Sequence, residues 1–295
     1  DRSSSYPDVQ CNEKFPIRPF VEIGHTMGLE EYTHLTKKLG KAVVSRCRLV
    51  NLRLKNPHFG CPYFSKSKCR GIINGIFDNG RVMSADYLEI TITEIDWLIV
   101  EEEYIWDIVE FADGIMAGKG YLPIQFTDII KEYYHRKTDL KDVEGQEIYY
   151  MKSKNKLNSG YGMTAQDIGK QMTLFVDGEF VEDEQPIAEI VEKAAKKAFI
   201  PYQWGVYTTA YARLRLHEAI WLVGDGYVYS DTDSVKFVGD VDFTAYNKLR
   251  REASRNSGAY ATDPQGVTHY MGVYEQERGY DRFRTWGAKK YASEK

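Results

Sequence analysis

The sequence predicts an α+β fold, an antiparallel sheet with helices against it and a helical hairpin projecting from it. Three stretches predict this. Residues 40–54 and 81–93 are long runs of β-forming residues. From Phe126 to about Val143, and again from past Gly145 to about Tyr161, apolar residues recur at helical spacing. Tyr229 to Ser234, YSDTDS, sets Asp231 and Asp233 between two short β-forming runs, so Asp-Thr-Asp falls where one strand turns into the next.

In chain order, Pro7 suits the first turn of a helix running through Asp8 to Glu13, capped by Ser5 or Tyr6, with the N–H groups near Ser4 to Tyr6 free to face an anion. The strands 40–54 and 81–93 follow. Thr93 with Asp96 then caps a helix to about Glu103. Gly118 to Pro123 interrupts the pattern and marks a boundary. After the helical hairpin, Met172 to Glu184 reads as a β-hairpin turning at Asp177-Gly178, and Ile187 to Ala198 as a helix. Gly205 to Val223 is a helix with a buried face (Ala212, Leu216, Ala219, Ile220, Val223) that delivers the chain to the DTD turn. Thr244 to Ser254 is helical, and the chain closes on a basic, strand-like YDRFRTWGAKKYASEK.

With 295 residues and 43% hydrophobic content, the chain is long enough for about two domains. No apolar run reaches membrane-spanning length, and the four cysteines (Cys11, Cys47, Cys61, Cys69) crowd the first quarter. These features predict a soluble cytoplasmic protein without a disulfide framework or a membrane partner. Cys61 and Cys69, with His58 nearby, have seven residues between them and lack a second pair, which is unlike a structural zinc site. The net charge of −4 argues weakly against nucleic acid, but the cations are clustered: Lys131, Arg136, Lys137, Lys141, Lys152, Lys154 and Lys156 in the middle, and Arg278, Arg282, Arg284, Lys289 and Lys290 at the end.

Two clusters carry chemistry. On an extended backbone, residues two apart share a face, so Asp231 and Asp233 could reach one hard cation; taken alone, the same tripeptide is an ordinary solvated turn. On the helical hairpin, Lys137 and Lys141 are spaced i,i+4, and Lys154, Asn158 and Tyr161 are spaced i,i+4,i+7. A row of cations and an amide suits a polyphosphate. Gly160 and Gly162 are poor helix formers and suggest a backbone left open to approach.

Four patterns stand in one order: DRSSSYP (1–7), KNKLNSGYG (154–162), YSDTDS (229–234) and AKKY (288–291). Together they resemble motifs A, B and C and the Lys-x-Tyr motif of family B DNA polymerases. NEKFP, YYHRKTDLK and TTAYAR resemble replicases of bacteriophages or mobile elements. The resemblance implies a right-hand polymerase palm with a helical-hairpin fingers subdomain: palm over 1–120, fingers over 121–165, and palm again over 166–295. It implies a DNA-directed DNA polymerase that adds dNMP to a primer 3′-hydroxyl and releases pyrophosphate. By resemblance, Asp1, Asp231 and Asp233 hold two Mg²⁺ ions, for which Mn²⁺ can substitute. Lys137, Lys141, Lys154 and Asn158, with Ser4 and the N–H groups of Ser5 and Tyr6, take the triphosphate. Lys154 is also the candidate proton donor to pyrophosphate. Tyr6 is the gate against a 2′-hydroxyl, Tyr161 packs by the nascent pair, and Gly162, Lys289 and Tyr291 touch DNA.

The implied partners are primer-template DNA, dNTPs and a terminal protein or other replication factors. The roughly 40 residues between Gly162 and Gly205 leave room for a processivity insertion of the kind found in protein-primed phage replicases. If phage-encoded, the protein would act in the host cytoplasm. Ser5 stands where the family usually has Leu, and Gly160 where it has a bulkier residue. Because the chain opens at Asp1 and stops just past Tyr291, it reads as a fragment lacking exonuclease and thumb, with weak DNA affinity. Two rivals remain: a non-catalytic DNA-binding remnant of a polymerase, and a reverse transcriptase, whose carboxylates are usually adjacent. An EF-hand-like Ca²⁺ loop at DTDS would lack its Gly and terminal Glu.

Overall fold

The computed structural model describes residues 1–166, 169, 173–182, 185–197, 200–277, 279–287 and 289–294. Arg278 and Ala288 from the basic C-terminal patterns, Met172 and Glu184 at the ends of the expected hairpin, and Ala198 lie outside the described residues. The helices, in order, are α1 (Ser5–Asn12), α2 (Leu29–Thr33), α3 (Glu94–Glu103), α4 (Ile124–Asp139), α5 (Glu147–Thr164), α6 (Ile187–Lys197), α7 (Gln203–Val223) and α8 (Thr244–Ser257). Among the described residues, no helix is long and apolar enough to cross a membrane.

The two long predicted strands are Ala42–Leu54 and Arg81–Thr93, paired antiparallel with Cys47 opposite Ile90. They form the centre of a seven-stranded antiparallel sheet. Buried residues alternate along the strand through Val43, Ser45, Cys47 and Leu49, as a strand with one covered face requires, and the phase shifts at Asn51 (φ 53°) so that Leu52 and Leu54 are buried beyond it. The other flank of Ala42–Leu54 pairs with Ile108–Ala117, a strand the sequence pattern does not reveal. Its run is broken by Asp113-Gly114, where Asp113 takes φ 49° and the register shifts. Tyr32 stacks on Phe111 with ring centroids 3.7 Å apart, and Trp97 meets Phe111 edge-on at 4.9 Å.

The cap predicted for α3 is present: Thr93 and Asp96 form a reciprocal capping box. The first helix differs from expectation. It begins at Ser5, with Ser4 as the capping residue in the left-handed region (φ 48°) and no side-chain cap. The cause lies in the side chain of Ser5, which turns inward and accepts a hydrogen bond from the buried Arg2 guanidinium at 2.7 Å, so it is unable to cap. The helical hairpin is shifted by a few residues: α4 ends at Asp139, Gly145 turns at φ +77°, and α5 continues to Thr164.

Helix α7 joins the parts. Its Tyr207, Ala210, Tyr211 and Leu214 pack in one cluster with Val9 of α1, Phe15, and Ile95 and Ile99 of α3. Three α3 acids bind it as well: Glu94 accepts from the Tyr207 hydroxyl at 2.6 Å, Asp96 from Arg213, and Glu103 from the Trp221 indole at 3.2 Å. The seven-stranded sheet lies wholly within residues 21–117 and shares no strand with the DTD hairpin.

Candidate active site

Residues 1–3 bring the distant motifs together. Ser3 donates its N–H to the Val273 carbonyl (2.9 Å), and Gly272 and Glu275 donate theirs to Ser3 (2.7 Å) and Asp1 (2.8 Å). On the opposite edge, Arg2 donates its N–H to the Asp233 carbonyl at 2.9 Å. The first residues are therefore wedged between the hairpin tip and residues 272–275, with the Arg2 backbone on Asp233 and the Asp1 backbone on Glu275. Beneath the wedge, the buried Arg2 pairs with Asp8, which also accepts from Asn12 at 2.6 Å. Gly272 (φ +80°) is needed here because a Cβ would lie 2.4 Å from the Asp8 carboxylate.

The hairpin pairs Tyr227–Asp231 with Ser234–Phe237, Asp231 opposite Ser234. Thr232 turns at φ 57°, and the Asp233 N–H closes on the Asp231 carbonyl at 2.6 Å. This corrects the extended-strand argument, since the alternation that would put both carboxylates on one face is broken at Thr232. The two acids also have different surroundings. The Asp231 carboxylate accepts from the Lys289 ammonium, both oxygens at 3.2 Å, and from Thr232 Oγ1 at 2.9 Å. Burial raises the Asp233 pKa, with Arg2 opposing the rise and Asp231 adding to it.

Among the described residues, no three His, Cys, Asp or Glu side chains are grouped so as to hold a metal ion. Asp1, Asp231 and Asp233 are therefore not gathered into one cluster, though each offers the carboxylate oxygens that a hard cation such as Mg²⁺ or Mn²⁺ takes, and the desolvated Asp233 is one that a cation would stabilise.

The residues expected at the nucleotide form two groups. Tyr6 on α1 stacks on Tyr161 on α5, ring centroids 4.2 Å apart and planes at 30°. Burial raises both phenol pKa values, and the Tyr161 ring raises that of Tyr6 further. Beside them, the Lys137 ammonium donates to Ser4 Oγ at 3.4 Å. Its pKa is lowered by burial first and then by the charges on Lys154 and Lys141, so these three lysines share one field. Lys141, Lys154, Asn158 and Gly162 are exposed. A Cβ at Gly160 or Gly162 would meet nothing within 4 Å, so both positions face open space. Ser5 Oγ points away from this group, into the Arg2 pocket, and only its backbone remains for an anion.

Near the C-terminus, Lys289 donates its N–H to the Tyr229 hydroxyl at 2.8 Å, and the Tyr291 ring lies 5.7 Å from Tyr229 and 5.2 Å from Phe283. The Arg282–Gly287/Lys290–Glu294 hairpin thereby rests on the DTD hairpin. Sequence reasoning did not assign Arg2, Asp96 or Arg213 a part in the site. TTAYAR contained Arg213, but nothing in the pattern tied it to Asp96, 117 positions away.

No protein-family description and no curated protein matches the sequence. Solved structures do match in fold. Phi29 DNA polymerase complexed with primer-template DNA and incoming nucleotide substrates superposes with a TM-score of 0.68 at 19% identity, covering 99% of this chain and 44% of that chain. The same enzyme complexed with primer-template DNA gives 0.67, and complexed with single-stranded DNA 0.63, each at 19% identity and the same coverage. The chain therefore has a mixed α and β fold with antiparallel sheets, shared with part of a DNA polymerase and spanning less than half of that enzyme's length.

Proposed function

We propose that the chain is the catalytic core of a template-directed DNA polymerase of the family B, bacteriophage or mobile-element type. It would add dNMP to a primer 3′-hydroxyl and release pyrophosphate. The observation that supports this reading is the wedge of residues 1–3, whose Arg2 N–H bonds the Asp233 carbonyl and so ties the start of the chain to the DTD turn. The Tyr6–Tyr161 stack and the Lys137 group line the adjoining space. In this reading the wedge and DTD hairpin belong to a palm and α4–α5 are the fingers, with primer-template DNA, dNTPs and a terminal protein or other replication factors as partners.

Asp1, Asp231 and Asp233 would hold Mg²⁺, or Mn²⁺ in its place, which supplies Lewis-acid activation of the 3′-hydroxyl and neutralises charge on the leaving pyrophosphate. The chain's own residues do the rest. Lys137, Lys141, Lys154 and Asn158 bind the triphosphate, and the N–H groups at the start of α1 face its outer oxygens. Lys154 holds a proton for the pyrophosphate. The Tyr6 ring, braced by Tyr161, occupies the space a 2′-hydroxyl would need. Lys289 leaves Asp231 for the primer strand, and Tyr291 steadies it.

The test is incorporation from a primer 3′ end. The expected results are dNTP preferred over rNTP, loss of that preference in Tyr6→Ala, and loss of incorporation in Asp233→Asn. The Lys289–Asp231 ion pair favours a second reading, a DNA-binding remnant in which an ammonium has replaced the cation at the turn. That reading predicts primer-template binding without incorporation at any Mg²⁺ or Mn²⁺ concentration.

A further inference from the structure

Arg2 holds two parts of the site, one with each of its ends. Its backbone N–H donates to the Asp233 carbonyl at 2.9 Å, which ties it to the DTD turn. Its guanidinium reaches the other way, to the first turn of α1. There Nη1 donates to the Ser5 carbonyl (3.2 Å) and the Ser5 hydroxyl (2.7 Å), and Nη2 pairs with the Asp8 carboxylate. Asp8 is fixed in turn by Asn12, whose amide donates to its second oxygen at 2.6 Å. Ser5 leads directly into Tyr6, whose ring stacks on Tyr161 at 4.2 Å. One residue therefore fixes the position before Tyr6 to the turn that carries Asp233.

Several features of this arrangement work against stability. Arg2 is 1% exposed and Asp8 is fully buried. Apolar residues of similar volume commonly stabilise a fold as well as a buried ion pair does, or better. Arg2 Nε is buried and, among the described residues, has no hydrogen-bond partner. Ser4 takes φ 48°, a left-handed conformation disfavoured for serine, and makes no side-chain cap on α1. Position 272 is restricted to glycine by the Asp8 carboxylate, 2.4 Å from where a Cβ would lie. A role in stability alone leaves these features unexplained. What they secure together is the place of Ser5, and with it the start of α1. They also explain the serine itself, since a leucine at this position would offer no hydroxyl to Arg2 Nη1.

We propose that Arg2, held by Asp8, is a positioning residue: by gripping Ser5 it fixes the Tyr6 ring relative to the DTD turn and so sets discrimination against a 2′-hydroxyl. This rests on the polymerase reading, with Tyr6 as the gate, and adds the residues that hold the gate in place. Arg2→Met would strand the Asp8 carboxylate in the interior. Ser5→Ala is therefore the deciding variant, because it removes one acceptor and keeps the ion pair. The experiment compares kcat/KM for dNTP and for rNTP, with melting recorded on the same samples. In Ser5→Ala the preference for dNTP is expected to fall about tenfold, the size of one hydrogen bond to a charged group, through a gain for rNTP. Ser5→Thr, which keeps the hydroxyl, should restore the preference. An intact preference in Ser5→Ala, whatever its melting temperature, overturns the positioning role and leaves the polymerase reading standing. Equal losses in Ser5→Ala and Ser5→Thr also overturn it, since the hydroxyl then plays no part. A wild type that incorporates dNTP and rNTP equally overturns the gate and this proposal with it, but not the polymerase reading. A wild type that binds primer-template and incorporates neither overturns both.

Discussion

The seven-stranded sheet and the site wedge are built on opposite terms. Against the sheet the packing is apolar and dense, with Trp97 of α3 1% exposed among Tyr32, Trp106 and Phe111, and on the sheet Glu89 is held by Arg46 and Arg48. In the wedge, a few backbone hydrogen bonds hold residues 1–3, and the charges are left in costly surroundings. Asp233 is desolvated, Lys137 sits among like charges, and Gly160 and Gly162 border empty space. A fold optimised only for stability would not keep these arrangements. Their concentration at one place is what a binding site for charged ligands requires.

The contrast can be broken most severely on the sheet side. Trp97→Ala should cost about 3–5 kcal/mol of unfolding free energy by leaving a cavity in the densest aromatic cluster, read by chemical denaturation. Asp96→Asn should cost about 3 kcal/mol, the lower end for a broken buried pair because Arg213 stays partly exposed. The pH dependence sharpens this. Burial alone would raise the Asp96 pKa, but Arg213 and the Thr93 bonds bring it below the ordinary range. Its stabilisation is therefore complete above the unfolded value of about 3.9 and is lost as pH falls through the folded one. The stability gap between wild type and Asp96→Asn should narrow in that acid window.

On the site side, the signs reverse. Gly160→Ala should stabilise α5 by up to about 1 kcal/mol, since nothing crowds its Cβ, while lowering incorporation if the open backbone admits a ligand. The smallest expected effect is a pH dependence. Lys137 loses its proton below the ordinary lysine value of about 10.4, so KM for dNTP should rise with pH before that point. Lys137→Arg, charged throughout, should flatten the rise.

Much of this contrast was legible in the sequence, for particular reasons. The strands 42–54 and 81–93, the α3 capping box, the α4–α5 hairpin and the DTD turn each carry a local signal in spacing or residue type. Ile108–Ala117 went unread because Asp113 and Gly114 interrupt its alternation at a bulge. The inward turn of Ser5 and the Asp96–Arg213 pair depend on contacts that no local pattern encodes. The same holds for Asp231, whose neighbour Lys289 comes from 58 positions away.

The most direct measurement is single-nucleotide incorporation opposite each template base by wild type and Asp233→Asn, with melting recorded on the same samples. The account predicts template-matched incorporation by the wild type and none by the variant. Melting of the variant should not be lowered, because the raised pKa of Asp233 means that its charge is carried at a cost in the fold. Equal incorporation by both proteins, or none by the wild type under conditions where it binds primer-template, would contradict the assignment of this site to nucleotidyl transfer.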